Sequence, residues 1–327
     1  MKSTFLTLLA CCVAIGAMVG PQQQASAAEP RKSAAAAKQE AGKKTVRKAH
    51  RSAAKPARGQ ARRAAVGDDG SGSIDDIRSS AVAVFDQSTG DLLFEKNAGA
   101  VVPIASITKL MTAMVALDVH PNLDEVLTIG EADLDTLKGT SSRLAVGTRM
   151  SREEMLRLAL MSSENRATAA LSRYYPGGRR AFVEAMNTKA RMLGLSDTRF
   201  ADPTGLSPAN VSSARDLVKL VNAAHQYPLI REFSTSEEYQ VAVRGRSQMF
   251  RNSNALVRNE QWEIGLSKTG FISEAGKCLV MQAWLNDRPT VIVLLNSWGR
   301  LTRIGDANRI KRWVETMAAS NASPLRG

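Results

Sequence analysis

The sequence predicts an α+β fold, with strands at both ends of the folded part, helices between them, and two hairpins able to share one antiparallel sheet. Three observations lead there. From about residue 78 to residue 318 the composition is that of an ordinary globular chain, whereas the stretch before it is not. Apolar and β-branched runs bounded by turn residues occur near both ends of that region. Between them, apolar residues recur at spacings of three and four.

Ala81-Val82-Ala83-Val84-Phe85, the turn-forming stretch Asp86 to Gly90, and Leu92-Leu93-Phe94 read as a hairpin. Pro103 sits where a first helical turn tolerates a residue without an N–H. Ile107, Leu110, Met111, Met114 and Leu117 follow at helical spacing with few charges, which predicts a buried helix. Ser151 and Glu154 have the spacing of a capping box and open a helix through Met155, Leu158, Ala159 and Met161. Ala181 to Leu193 and Ala214 to Ala224 are amphipathic helices. Lys277 to Leu285 and Thr290 to Leu295, separated by Asn286-Asp287-Arg288-Pro289, form a second hairpin. Trp313 to Met317 belongs to a terminal helix, and residues 319–327 are expected to be a flexible end.

The 327 residues carry 44 Lys plus Arg against 31 Asp plus Glu, a formal net charge of +13, with 44% apolar residues and three cysteines. A wholly disordered chain and a disulfide scaffold are both excluded. The charge is not spread over the folded part. Twelve Lys or Arg fall between Glu29 and Val66 against only Glu29 and Glu40, a net of +10 in that stretch alone. It contains no Phe, Tyr or Trp and cannot bury enough apolar surface to offset the entropy of ordering. Residues 28–77, ending in the glycine-rich hinge Gly67 to Ser73, therefore read as a disordered basic tether. It is either a solvated spacer or a segment drawn to an anionic surface.

Lys2, the apolar run Phe5 to Val19 broken only by Thr7, and Ala25-Ser26-Ala27 before Ala28 read as a secretory signal peptide over residues 1–27. The run is shorter than the roughly 20 residues of a membrane-spanning helix, so the exported chain is expected to be soluble or peripheral, with a retained N-terminal anchor as the alternative. Export argues against a nucleic-acid partner. Cys11 and Cys12 leave with the leader, and Cys278, in the run Cys278-Leu279-Val280-Met281, reads as a small buried hydrophobe rather than a reactive thiol. His50, His120 and His225 have no ligand spacing, so neither a metal nor any other cofactor is predicted.

Chemistry is to be sought where polar groups interrupt the apolar pattern without a structural need. Ser106 and Lys109 lie three apart on a helix, so the amine can approach the hydroxyl. That is the geometry of a serine nucleophile with a lysine base, provided the amine is lowered from its reference near 10.4. The motif alone is weak, since Ser52-Ala53-Ala54-Lys55 in the tether repeats the spacing. Ser163-Glu164-Asn165 follows an apolar helix; its structural alternative is a junction with Ser163 as an N-cap. Lys268-Thr269-Gly270 lies on a strand, where a lysine could simply guard an exposed edge. Those alternatives weaken together, because SxxK, SxN and KTG stand in that order, 57 and 105 residues apart.

The triplet resembles the serine penicillin-recognising enzymes, a group that includes penicillin-binding proteins and serine β-lactamases and whose motifs are well known. Pro103 to Thr112, Met161 to Ala167 and Asp202-Pro203-Thr204-Gly205-Leu206 are most similar to low-molecular-mass penicillin-binding proteins of the D-alanyl-D-alanine endopeptidase and carboxypeptidase kind, over residues 78–318. The resemblance implies the penicillin-binding protein/β-lactamase-like fold, an antiparallel sheet flanked by helices with a mostly helical subdomain. It implies Ser106 as nucleophile, Lys109 as base assisted by a nearby second positive charge, and Ser163 as proton relay to the leaving amine. Asn165 would hold Lys109 and a substrate amide, and Lys268 and Thr269 the carboxylate of the leaving D-residue. Backbone N–H groups of Ser106 and Phe271 would form the oxyanion hole, with Gly270 leaving room for substrate along the strand.

The implied partners are peptidoglycan stem peptides, with β-lactams as covalent inhibitors, and the implied compartment is the periplasm, where the tether could contact murein or anionic membrane. No ExxLN-like segment occurs between Arg199 and Asn210, which disfavours a β-lactamase. Only 57 residues follow Gly270, too few for the extra β-domain and amphipathic anchor of typical carboxypeptidases, so endopeptidase is the favoured expectation. A silent cell-wall-binding module is the alternative of a different class.

Overall fold

The computed structural model describes residues 72–299 and 301–322. The expected signal peptide, nearly all of the tether and residues 323–327 lie outside the described residues. The strands are β1 Ala81–Asp86, β2 Leu92–Lys96, β3 Val102–Pro103, β4 Val126–Thr128, β5 Arg149–Ser151, β6 Val211–Ser212, β7 Glu238–Val243, β8 Arg246–Arg251, β9 Glu263–Ile272, β10 Gly276–Leu285 and β11 Arg288–Ser297. The helices are α1 Lys109–Asp118, α2 Arg152–Met161, α3 Asn165–Arg173, α4 Gly178–Met192, α5 Ala214–His225, α6 Pro228–Thr235 and α7 Thr302–Ala322.

One five-stranded sheet organises the molecule, in the order β2-β1-β11-β10-β9. The two hairpins read from sequence do share it: β1 pairs antiparallel with β11 from Ala81 opposite Leu295 to Asp86 opposite Thr290. The central strands are apolar on both sides because both faces are covered. Val82, Val84, Leu279, Met281, Ile292 and Leu294 pack with Ala307, Ile310 and Val314 of α7. On the other face, Ala83, Val280, Val291 and Val293 join the core that contains Leu110, Met111 and Met114 of α1 and Leu217 and Val221 of α5. Burying such a Val or Leu side chain contributes roughly 1.5–3 kcal/mol. Pairing and two-sided cover together fix the register, since a one-residue slip would exchange the two cores.

Asp306 ties α7 to the start of β1. Its buried carboxylate accepts from the Arg78 and Ser79 backbone N–H groups and from Ser79 Oγ at 2.6–3.2 Å. At the end of the expected hinge, Ser73 caps a 3₁₀ turn over Ile74–Asp76, and Ile77 is buried. At the other end α7 begins well before Trp313 and continues to Ala322, past residue 318.

One local reading needs correction, and one structural alternative falls. Pro103 is not in a helix; it ends the short strand β3, paired with Val211 of β6, and the helical run begins at Ala105 with a 3₁₀ turn. Ser163 is not an N-cap, because Glu164 caps α3 through its own carboxylate, which accepts from Arg166 N. Instead Ser163 has φ 63°, the left-handed position after the Ser162 C-cap of α2 that glycine usually takes. The small hairpin β7–β8, whose β7 exposes Glu238, Gln240 and Ala242 on alternate positions, was not read from the sequence.

Candidate active site

Three segments distant in sequence close on one point. Ala105 has a left-handed backbone, φ 48°, that turns the chain out of β3. Ser106 lies in the following 3₁₀ turn and Lys109 opens α1, so their three-residue spacing stacks the side chains and Lys109 Nζ donates to Ser106 Oγ at 2.8 Å. Lys109 is 1% exposed, and Nζ donates twice more, to Asn165 Oδ1 at 2.8 Å and to the Thr204 carbonyl at 2.6 Å. Both of those oxygens can only accept. When the amine is neutral they retain its two N–H groups, and its lone pair is left facing the Ser106 hydroxyl.

Burial pushes the Lys109 amine down from 10.5 to about 7, against the Asp202 and Glu164 carboxylates, which pull it up. Burial or a neighbouring cation was expected to supply that push; burial is the largest cause, and the second amine of the cleft is that of Lys268. That side chain extends from β9, is 1% exposed, and donates to Ser163 Oγ at 2.9 Å and to the Thr269 carbonyl at 2.9 Å. Burial first, then the charges of Lys109 and Arg303, hold its amine well below 10.5. The strand is at the sheet's edge, but a buried lysine cannot guard that edge against solvent-borne partners.

The supporting residues fix these groups in place. Asp202 accepts from Thr204 N, Thr204 Oγ1 and Gly205 N through one oxygen, at 2.6–2.9 Å, and from Ser207 N through the other, at 2.8 Å. Its loop is fastened to α1 by Thr112 Oγ1, which donates to the Pro203 carbonyl at 2.6 Å. Gly205 has φ 83°, and a Cβ there would stand 2.1 Å from the Ala105 carbonyl oxygen. A Cβ on Gly270 would lie 2.8 Å from the Ile104 carbonyl and 3.2 Å from Ser106 N. Glycine is therefore demanded there by the protein's own backbone, in addition to any need for substrate space. The same closeness sets Gly270 of β9 against the backbone of Ile104 and Ser106.

Asn165 Nδ2 donates to Thr140 Oγ1 at 3.2 Å, so its amide already bridges Lys109 and the loop that precedes α2. Thr269 Oγ1 donates to Ser253 Oγ at 2.7 Å. Phe271 directs its side chain outward, 59% exposed, with Lys277 Nζ 4.7 Å from the ring centre. Cys278 is fully buried and burial pushes its thiol up to about 11, which makes it inert at neutral pH.

The sequence reading missed three contributors. Arg303, on the first turn of α7, adds to the effect of burial and of Lys109 in depressing Lys268 and is itself lowered by burial. The Thr204 carbonyl and Ser253 hydroxyl are the others. No motif marks a backbone carbonyl or a lone serine; only Asp202 to Leu206, quoted for its resemblance, pointed near one of them.

Over residues 68–299 the sequence matches the family Peptidase_S11, D-alanyl-D-alanine carboxypeptidase. A D-alanyl-D-alanine endopeptidase of Pseudomonas aeruginosa is 51% identical over 243 residues, covering 74% of this chain and 78% of that protein. A D-alanyl-D-alanine endopeptidase of Escherichia coli is 46% identical over 243 residues with the same coverage. The solved Streptomyces K15 DD-transpeptidase superposes with a TM-score of 0.67 at 28% identity, covering 74% of this chain and 98% of that one. The chain belongs to the Peptidase_S11 family, and its fold is that of the DD-peptidases.

Proposed function

We propose that this chain is a serine D-alanyl-D-alanine endopeptidase that hydrolyses the D-alanyl cross-links of peptidoglycan through an acyl-enzyme and is captured covalently by β-lactams. The observation that carries the reading is the environment of Lys109 Nζ, which leaves a neutral amine's lone pair directed at Ser106 Oγ, 2.8 Å away. The names borne by the relatives at 46–51% identity support endopeptidase, whereas the family's description names a carboxypeptidase.

In this reading Ser106 Oγ forms a bond to the D-alanyl carbonyl carbon while its proton passes to Lys109 Nζ. The oxyanion is held by the N–H groups of Ser106 and Phe271, each such donor being typically worth about 2.7–4 kcal/mol. As the C–N bond breaks, the departing amine takes the Ser163 hydroxyl proton, which is replaced from the adjoining lysines; water then cleaves the ester. Lys268, Thr269 and Arg303 receive the leaving residue's carboxylate, and its negative charge restores the proton affinity that burial and neighbouring cations remove from Lys268. Asp202, the one carboxylate of the loop facing Lys109, is occupied by backbone and threonine donors, which agrees with a slowly hydrolysed penicilloyl ester.

Labelled penicillin attaches to the wild type and not to Ser106→Ala; equal labelling of both overturns the nucleophile. Digestion of purified sacculi separates the activities: cross-linked dimers become monomers if the chain is an endopeptidase, and pentapeptides lose a terminal alanine if it is a carboxypeptidase. Export by residues 1–27 to the periplasm, with the +10 tether on murein or anionic lipid, completes the proposal. Deleting residues 28–66 then lowers binding to sacculi at low salt, and unchanged binding marks the segment as a spacer.

A further inference from the structure

Lys138 and Glu274 stand on opposite walls of the cleft, 136 residues apart, and their side chains meet in an ion pair of 2.5 Å. Each partner is carried by a built loop. Asp135 accepts from the N–H groups of Leu137, Lys138 and Thr140 at 2.8–2.9 Å, which shapes the segment that holds Lys138, and Thr140 Oγ1 accepts from Asn165 Nδ2 at 3.2 Å. Glu274 lies in the turn between β9 and β10, closed by Ala275 N donating to the Ile272 carbonyl at 3.2 Å and anchored by the buried Ala275 side chain. The two side chains can rotate apart without moving either wall.

Traced through its contacts, the pair completes a ring. Ser106 joins Lys109, Lys109 joins Asn165, Asn165 joins Thr140, and Lys138, two residues before Thr140, joins Glu274. From Glu274 the backbone of β9 returns to Gly270, against Ser106 N. In the peptidase reading, on which this inference rests, the leaving carboxylate sits at Lys268 and the scissile carbonyl at Ser106 and Phe271. β9 runs from Lys268 through Phe271 toward Glu274, so the acyl half of the substrate follows that direction and passes through the ring, beneath the pair.

A closed ring admits a chain in two ways: a free end threads it, or the ring opens. A stem peptide ending in D-alanyl-D-alanine has a free end. A cross-linked peptide has none, because the residue on its leaving side belongs to a second stem and both stems are attached to glycan. We propose that the Lys138–Glu274 pair is a specificity determinant, a bar that a linear peptide passes under and that must part for a cross-link. It holds back cleavage of cross-links relative to reactions of substrates with a free end. With side chains 27% and 41% exposed, the pair has the strength of a surface ion pair, so the restraint is modest and salt-sensitive.

The bar is tested on the full chain with soluble cross-linked dimers that carry a disaccharide on each stem, which avoids attachment of the basic tether to sacculi, and with benzylpenicillin, whose acyl group has a free end. The quantity measured is the ratio of kcat/KM on dimers to the rate constant of penicillin acylation. Glu274→Gln and Lys138→Gln are each expected to raise that ratio about two- to fivefold at low salt, the range of an exposed pair. The exchange Lys138→Glu with Glu274→Lys returns it to the wild-type value, and high salt brings the wild type up to the single variants. An unchanged or lower ratio in the single variants overturns the bar, as does an exchanged pair that stays as fast as they are. A wild type that captures penicillin yet, like the single variants, leaves dimers intact overturns the endopeptidase reading, and one that fails to capture penicillin overturns the peptidase reading as a whole.

Discussion

Lys109 on the helical wall of the cleft and Lys268 on the sheet wall are each 1% exposed, yet the oxygens and charges around them differ. Lys109 has three oxygen partners from α1's own turn, α3 and the Asp202 loop, and two carboxylates within electrostatic reach. Lys268 has one hydroxyl and the carbonyl of the next residue, and its charged neighbours are cations. Burial lowers both amines; the neighbours decide where each stops. Carboxylates keep Lys109 at about 7, where it can take and return a proton at neutral pH. At Lys268 the neighbouring cations act in the same direction as burial and leave an anion as the partner that best completes its site.

The largest effect that tests this contrast is on rate. Lys109→Met removes the base, and penicillin acylation is expected to fall by about 10²–10⁴-fold; stopped-flow or gel labelling that finds less than a tenfold loss would move the base elsewhere. Stability gives the next contrast. Lys109→Met leaves Asn165 Oδ1 and the Thr204 carbonyl without their donor, at roughly 1–3 kcal/mol. Lys268→Met relieves repulsion and leaves only a rotatable hydroxyl and a carbonyl, so its urea midpoint stays close to the wild type's. Equal losses would erase the distinction between the walls.

A smaller effect comes from the pH profile. Acylation requires neutral Lys109, so it rises with pH through about 7. Glu164→Gln deletes a charge that raises the Lys109 pKa, and the acid limb moves to lower pH; a shift upward contradicts the assignment. Both lysines also imply a stability trend of known sign. Their folded pKa values lie below the unfolded one, so the unfolded chain binds more protons between the two. For Lys109 stability is lowest below about 7 and rises toward 10.5.

Legibility in the sequence follows the strength of the local signal. Strands β1, β10 and β11 were readable because strands covered on both faces need unbroken apolar runs. Helix α2 was readable because Ser151 and Glu154 complete a reciprocal cap within one turn. Pro103 misled because proline suits both a first helical turn and a two-residue edge pairing, and only β6 decides between them. Ser163 was placed in the site by its motif, and its alternative as an N-cap falls because Glu164 caps α3 while Ser163 turns left-handed toward Lys268.

The sequence alone determined the two hairpins of the main sheet, most of the long helices and the residue types that can perform acyl transfer, since these depend on side-chain chemistry and on spacing within a few residues. Tertiary structure decided which of those groups touch. The Thr204 carbonyl behind Lys109, Arg303 beside Lys268, and the backbone contact that requires glycine at 270 all join positions far apart in the chain. Their effects come from burial and from charge across a few ångströms, quantities that exist only once the chain has closed on itself.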